Sequence, residues 1–196
     1  MLVACVKTAI VNGCIVDIRQ NKRGESGFTL VEAMVVVVIV GVLATVAVAS
    51  YRTWFAKNRV NGATSQLYSE MHLAKMRSIS ENSTYRITFD TVNHAYTVFA
   101  NGTTDHTVSI GDNYEGIEFD YVPGTLKAGG SALITKAVNF TGTPPSILFR
   151  PTGLSKAGSV YLKPGTDSRE NMQRAIVVNI VGRIDKWKHN GTSWEY

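Results

Sequence analysis

The feature that most restricts this chain is an apolar run near its beginning, GFTLVEAMVVVVIVGVLATVAVAS, at residues 27–50. No charged residue occurs from Ala33 to Ala49. At about 1.5 Å per residue, a helix of that length nearly crosses a bilayer core of about 30 Å. One carboxylate, Glu32, stands at the start of the run. Because a charge at the centre of a spanning helix costs roughly 2.5–3.5 kcal/mol, this glutamate is expected to have a partner.

The helical pattern continues beyond the apolar run. Apolar side chains recur at helical spacing at Val60, Leu67, Met71 and Ala74, and no proline interrupts the segment. The sequence ENST at 81–84 indicates where the helix stops. We therefore predict one continuous helix that begins in the apolar run and ends near residue 82.

After the helix the apolar pattern changes to the period of two that is typical of β-strands. TYRITFD and AYTVFA, separated by a short turn, predict a hairpin. A last strand followed by an Asn-Gly turn is predicted near the C terminus. Further strands are predicted at 116–122, 132–140, 146–150, 158–163 and 174–180. The predicted fold class is α+β, a long N-terminal hydrophobic and amphipathic helix followed by an all-β domain of antiparallel sheets.

Reactive side chains show no pattern typical of an enzyme. Cys5 and Cys14 both precede the apolar run, so the rest of the chain cannot contain a disulfide, a cysteine-based zinc site or a cysteine nucleophile. The four histidines lack the spacing of a metal site, and the chain has no nucleophile elbow, phosphate-binding glycine loop or zinc-protease motif. We therefore predict no catalytic residues, no metal and no cofactor.

Charge is distributed unevenly over the β region. Residues 83–149 contain three basic and six acidic side chains, whereas residues 150–196 contain eight basic and four acidic ones. A basic C-terminal part permits an anionic partner there, although a solvated surface with a chance imbalance explains the same numbers.

The start of the apolar run resembles a known processing signal. GFTLVE at 27–32, preceded by the basic polar leader RQNKRGES and followed by the apolar helix, resembles the class III signal of type IV prepilins and type II secretion pseudopilins. The resemblance implies that a prepilin peptidase cuts after Gly27 on the cytoplasmic side and methylates the new amine of Phe28. It also implies a single-pass protein of the bacterial inner membrane with its C-terminal domain in the periplasm.

This resemblance offers a partner for Glu32. Cleavage would create a positively charged amine at Phe28, and in a helix packed beside another subunit the carboxylate of one copy could meet the amine of its neighbour. Glu32 is then an assembly residue. The alternative is a glutamate that merely extends to the membrane interface.

The second half resembles the GspH/FimT group of minor pseudopilins, on the segments LYSEMHLAKMRSISENSTYRITFD, FRPTGLSKAGSVYLKPG and RAIVVNIVGRI. The resemblance implies a minor subunit of a type II secretion pseudopilus or a type IV pilus, added near the filament tip. Its partners would be other pilins, the peptidase and inner-membrane lipid. The predicted parts are a leader at 1–27, a transmembrane and assembly segment at 28–51, an amphipathic helix at 52–82 and a periplasmic β domain at 83–196.

DNA binding is the alternative function. Some members of the group resemble DNA-uptake pilins, which hold DNA with a basic C-terminal tail. Arg183, Lys186, Trp187 and Lys188 would supply charge and a stacking surface here. The DNA-binding version has a second arginine at the position of Asp185, and this departure counts against the alternative.

Overall fold

The computed structural model describes residues 9–11, 14–16, 27–165 and 167–196, with side chains described at 27–45, 51–165 and 167–196. The chain divides into two compact units, Met1–Ala47 and Val48–Tyr196. Strands β1 (Ala9–Val11) and β2 (Cys14–Val16) form an antiparallel hairpin within the predicted leader. The rest of that leader, apart from Gly27, lies outside the described residues.

The predicted long helix is present as α1, Leu30–Ser80, which has 51 residues. It ends at the ENST sequence because Asn82 adopts a left-handed backbone conformation, with φ of 47°. The amides of Glu81 and Ser83 then donate to carbonyls of the last turn, those of Arg77 and Ser78, at 2.9 and 3.1 Å.

The chain after α1 forms two antiparallel sheets, which confirms the predicted α+β class. The four-stranded sheet has the order β5-β4-β3-β7, and the five-stranded sheet has the order β11-β10-β9-β8-β6. The strands are β3 (Tyr85–Asp90), β4 (Ala95–Ala100), β5 (Thr103–Ser109), β6 (Ile117–Glu118), β7 (Ser146–Phe149), β8 (Gly158–Pro164), β9 (Arg174–Val178), β10 (Ile184–His189) and β11 (Trp194–Glu195). Two short helical turns, α2 (Ile110–Asn113) and a 3-10 turn (Glu170–Met172), complete the elements.

The predicted hairpin is β3 and β4, in register from Tyr85 opposite Ala100 to Asp90 opposite Ala95. The carboxylate of Asp90 accepts hydrogen bonds from the amides of Val92 and Asn93 at 2.9 and 3.0 Å, which closes the turn. These bonds to its charged form lower the pKa of Asp90.

Two strand predictions are wrong in extent. The strand predicted at 116–122 is only Ile117–Glu118, and the one predicted at 132–140 makes isolated bridges alone, with Val138 opposite Val160. Both segments lie along the same edge of β8: β6 pairs with Lys163 and Pro164, and Val138 bridges to residue 160. Because they share that edge, neither extends into a long ladder.

Strand β5 was not predicted. Its sequence TTDHTVS lacks alternating apolar residues, because β5 is the edge of its sheet and most of its side chains are exposed. β5 is held in the sheet by backbone hydrogen bonds to β4, and backbone hydrogen bonds do not require a particular pattern of side chains.

The core of the second unit lies between α1 and the two sheets. A stripe on α1 contributes Val60, Ala63, Leu67, Met71 and Ala74, all of which are buried. Both sheets supply residues to the same cluster, among them Ile87 and Phe89 from the first and Leu162 and Ile176 from the second. The periodic pattern read from the sequence therefore faces the interior of its own domain.

Candidate assembly site and cationic cavity

The first turn of α1 is closed by a threonine cap. The amide of Glu32 donates to the side-chain oxygen of Thr29 at 3.2 Å, and the amide of Ala33 donates to the Thr29 carbonyl at 3.1 Å. Thr29 and Glu32 have the spacing of a capping box, in which a threonine is followed three residues later by glutamate or glutamine. Glu32 also lies where the helix dipole favours a negative charge.

The predicted processing residues lie just outside the helix and are exposed. Gly27, Phe28 and Thr29 precede the first helical residue, Leu30, and the Phe28 side chain is 81% exposed. A Cβ atom added at Gly27 would meet nothing within 4 Å. An alanine at this position would therefore create no clash with the residues that the structure describes.

The part of α1 that follows exposes apolar side chains on every face. Each is more than half exposed, a pattern that marks a surface to be covered by another apolar partner. They are Leu30, Val31, Met34, Val35, Val36, Val37, Val38, Ile39, Val40, Val42 and Leu43. Within the ranges that the structure describes, no helix combines the length and apolarity needed to cross a membrane.

The four candidate DNA-contacting residues lie on or next to β10, but they do not form one exposed basic surface. Arg183 is paired with Asp185, with 2.8 Å between Nε and Oδ1. Trp187 is half-buried and packs on the ring of Tyr196, with centroids 3.9 Å apart. The remaining two candidates, Lys186 and Lys188, are exposed. Half of the predicted patch is thus neutralised or covered.

Lys186 turns towards the helix. Its Nζ atom lies 3.3 Å from the hydroxyl oxygen of Ser65 and 5.8 Å from the ring centroid of Tyr68. The ammonium group is therefore held beside α1 by one hydrogen bond and a cation–π contact.

A cation that the sequence analysis missed lies beside this lysine. Arg174, the first residue of β9, is only 3% exposed. Its Nε donates to Oδ1 of Asn61 at 2.6 Å, and its Nη1 donates to the carbonyls of Asn171 and Gln173 at 3.1 and 2.7 Å. Its Nη2 is buried without a hydrogen-bond partner. Burial lowers the pKa of Arg174 to about 10, so the guanidinium is still charged at neutral pH.

The histidines lie apart from one another. His106 lies between Glu70 and Asp105, at 3.4 and 3.0 Å, in a network that links α1 to β5. Burial lowers the pKa of His72 and that of His189. Among the described residues, no three His, Cys, Asp or Glu side chains are grouped so that they could hold a metal ion.

Residues 22–48 match the prokaryotic N-terminal methylation motif, and residues 63–182 match the family described as type II transport protein GspH. These two matches define a pilin-like subunit, of the minor pseudopilin or minor pilin class. The chain belongs to the GspH family. This family consists of structural subunits that associate with other pilins in a filament, as predicted from the sequence.

The chain is also similar to two fimbrial proteins and to two solved structures. Two fimbrial proteins of Pseudomonas aeruginosa are each 27% identical over 116 residues, which is 57% of this chain and 75% of theirs. The type IV minor pilin FimU of Pseudomonas aeruginosa matches in structure with a TM-score of 0.46 and 10% identity, over 70% of this chain and 93% of that one. The minor pseudopilin EpsH of the Vibrio cholerae type 2 secretion system has a TM-score of 0.46 and 12% identity, over 66% and 97%.

Proposed function

We propose that this protein is cut by a prepilin peptidase after Gly27, methylated at Phe28 and then added near the tip of a type II secretion pseudopilus or a type IV pilus. The observation that carries the proposal is the match of residues 22–48 to the N-terminal methylation motif. The exposure of Gly27 and Phe28, outside the helix, supports access by a peptidase.

The apolar segment is the proposed anchor. Before assembly, residues 28–51 would lie in the inner membrane as a single-pass helix, with the β domain in the periplasm. After assembly the same side chains would pack against other pilin helices. The exposed Val, Ile, Leu and Met side chains of α1 support this proposal, because in water such a surface would be left uncovered.

Glu32 is the proposed assembly residue. Peptidase cleavage would convert the neutral peptide nitrogen of Phe28 into a charged amine, and the carboxylate of a neighbouring Glu32 would relieve the desolvation of that amine in an apolar environment. Glu32 also lies in the first turn of α1, where its amide donates a hydrogen bond to the side chain of Thr29. A glutamate three residues after a capping threonine favours the start of a helix, so Glu32 has a local role in the helix cap besides the proposed role in assembly. A variant that keeps the helix cap and loses the negative charge would separate the capping role of Glu32 from its proposed role in charge pairing.

DNA binding remains a prediction without support. The ion pair of Arg183 with Asp185 and the packing of Trp187 on Tyr196 remove two of its four residues from a free basic surface. No comparison with known proteins favours it.

The proposal is tested by the intact mass and N-terminal residue of the protein purified from its host's membrane fraction. We expect a chain that starts at methylated Phe28, and a Gly27→Ala variant that accumulates as the uncut precursor. Gly41→Ala is the matched control, because a Cβ at either glycine meets nothing within 4 Å. A wild-type chain that still carries its leader, or normal cutting of Gly27→Ala, would contradict the processing proposal.

A further inference from the structure

A cavity of about 360 Å³ opens beside α1 in the second unit. Three of its seven lining residues are cations and none is an acid. The lining residues are Asn61, Thr64, Arg174, Lys186, Trp187, Lys188 and Tyr196. We call it the cationic cavity. Its positive lining has no compensating charge among the residues that form it.

The buried arginine of this cavity differs from the other buried cation of the domain. Lys163 is also largely buried, and its Nζ lies 2.9 Å from the Asp120 carboxylate. Arg174 makes no salt bridge within the part of the chain that the structure describes, and neither do Lys186 and Lys188. A buried charge without a counter-charge is strongly destabilising, so the binding of an anion in the cationic cavity would stabilise the folded domain.

Unused hydrogen-bond donors indicate the same need. Nη2 of Arg174 and Nε1 of Trp187 are both buried without an acceptor, and both residues line the cationic cavity. The side-chain oxygen of Asn171 is also buried without a partner, but it is an acceptor and adds nothing to the need for an anion. An amide oxygen or a water could accept a hydrogen bond, but neither would neutralise the guanidinium.

We infer that the cationic cavity binds the carboxylate of an aspartate or glutamate side chain from a neighbouring filament subunit. The inference rests on the proposed function, because assembly supplies the neighbour. Charge complementarity identifies the occupant, because three cations and no acid line the cavity. Duplex DNA is the less suitable anion, since its phosphates are read by exposed cations and Arg174 is recessed at 3% exposure.

The direct test uses the full chain in detergent micelles and N-acetyl-glutamate as the probe, with N-acetyl-glutamine as its neutral match. The indole N–H resonance of Trp187, assigned with Trp187→Phe, reports occupancy. We expect a saturable shift with N-acetyl-glutamate alone, and about tenfold weaker binding in Arg174→Gln and in Lys186→Gln. Lys156→Gln removes an exposed lysine outside the cavity and should bind as the wild type does.

The design remains decisive if one variant fails to fold. Lys186 is exposed, so Lys186→Gln tests the cavity even where loss of the buried Arg174 unfolds the domain, which circular dichroism would reveal. Equal shifts with the acid and the amide would overturn the inference. Displacement of N-acetyl-glutamate by duplex DNA, together with DNA retardation that is lost in Lys186→Gln, would overturn it in favour of a nucleic acid.

A second experiment identifies the occupant in the host. A photo-crosslinking amino acid replaces Tyr196, which lines the cavity and is exposed. We expect a crosslink to an acidic segment of another filament subunit, loss of that crosslink in Lys186→Glu, and its recovery when the partner's acid is changed to lysine. A crosslink unaffected by Lys186→Glu would contradict the inference. Failure to cut after Gly27 would instead contradict the proposed function, so the two failures are distinguishable.

Discussion

The two parts of α1 are both rich in apolar residues, yet only one part covers them within the chain. In the second unit the stripe that includes Met71 is fully buried against the sheets, with Met71 at 0% exposure. In the first unit the α1 side chains from Leu30 to Thr45 are exposed all round, and Val37 is 70% exposed. The same secondary structure therefore stabilises the domain in one part and, in the function proposed above, would contact other molecules in the other part.

The difference shows how to separate folding from assembly in this protein. A change in the buried stripe acts on the free energy of unfolding of the domain. A change in the exposed segment leaves the domain folded and acts on whatever covers that segment.

The largest effect is expected from a charge placed in the buried stripe. Met71→Asp puts an unpaired carboxylate into the core and should lower the free energy of unfolding by more than about 4 kcal/mol. Met76→Asp, on the same helix but 67% exposed, should change it by less than about 0.5 kcal/mol. Thermal unfolding of the full chain in micelles, followed by circular dichroism, compares them. Similar losses in both variants would contradict the burial argument.

An aspartate in the exposed segment should leave the stability of the domain unchanged and reduce assembly into filaments. Val37→Asp should leave the melting of the β domain unchanged and remove the protein from assembled filaments, because a charge within an apolar helix contact costs roughly 2.5–3.5 kcal/mol. Fractionation of sheared filaments from host cells measures assembly. Val37→Leu is the matched control and should assemble normally. Normal assembly of Val37→Asp would show that this face of the helix is not covered.

Glu32→Gln sharpens the comparison at one residue. Glutamine keeps the capping-box chemistry and removes the charge, so the helix start and cleavage after Gly27 should be preserved while filament incorporation falls about tenfold or more. Thr29→Val makes the converse change, since it removes the cap bond and keeps the carboxylate. If Glu32→Gln assembles fully and Thr29→Val does not, Glu32 acts through the helix cap and not through charge pairing.

The smallest expected effect is a pH dependence contributed by His72 on α1. His189 on β10, whose pKa burial also lowers, contributes in the same direction in wild type and variant alike. Burial, and then the charge of Lys75, lower the pKa of His72 below 6.5. Because the unfolded chain takes up the proton first, stability is unaffected well above pH 6.5 and decreases as the pH falls from 6.5 towards the lowered pKa, by at most about 1.4 kcal/mol per pH unit. Denaturant unfolding of wild type and His72→Gln at several pH values measures it, and the variant should lack this component. An identical pH profile for the two would refute the assignment to His72.

Sequence reasoning succeeded where a local pattern decides the structure. The bounds of α1 follow from unbroken helical periodicity and from an asparagine that accepts a left-handed conformation at residue 82. The hairpin of β3 and β4 follows from alternation and from the turn chemistry of Asp90. These signals depend on neighbours in the chain, so one sequence is enough to reveal them.

Sequence reasoning failed where contacts between residues distant in the chain determine the structure. In the sequence Arg174 is an ordinary cation at the start of a strand, whereas in the fold it is buried and donates a hydrogen bond to Asn61, 113 residues away in the chain. The segment at 132–140 has the composition of a strand, but the edge of β8 that it meets is shared with β6. Neither competition for an edge nor burial of a charge is visible in a local pattern.

The helix start gives the proposed cleavage one further property. The bond after Gly27 lies two residues before the capping Thr29, so cutting it would leave the first turn of α1 intact in precursor and product alike. The reaction would change charge without changing shape. The new amine would then face the positive end of its own helix dipole, which favours a carboxylate and disfavours a cation. A freshly cut subunit would thus be electrostatically unfavourable while alone, and a neighbour's carboxylate would remove that penalty.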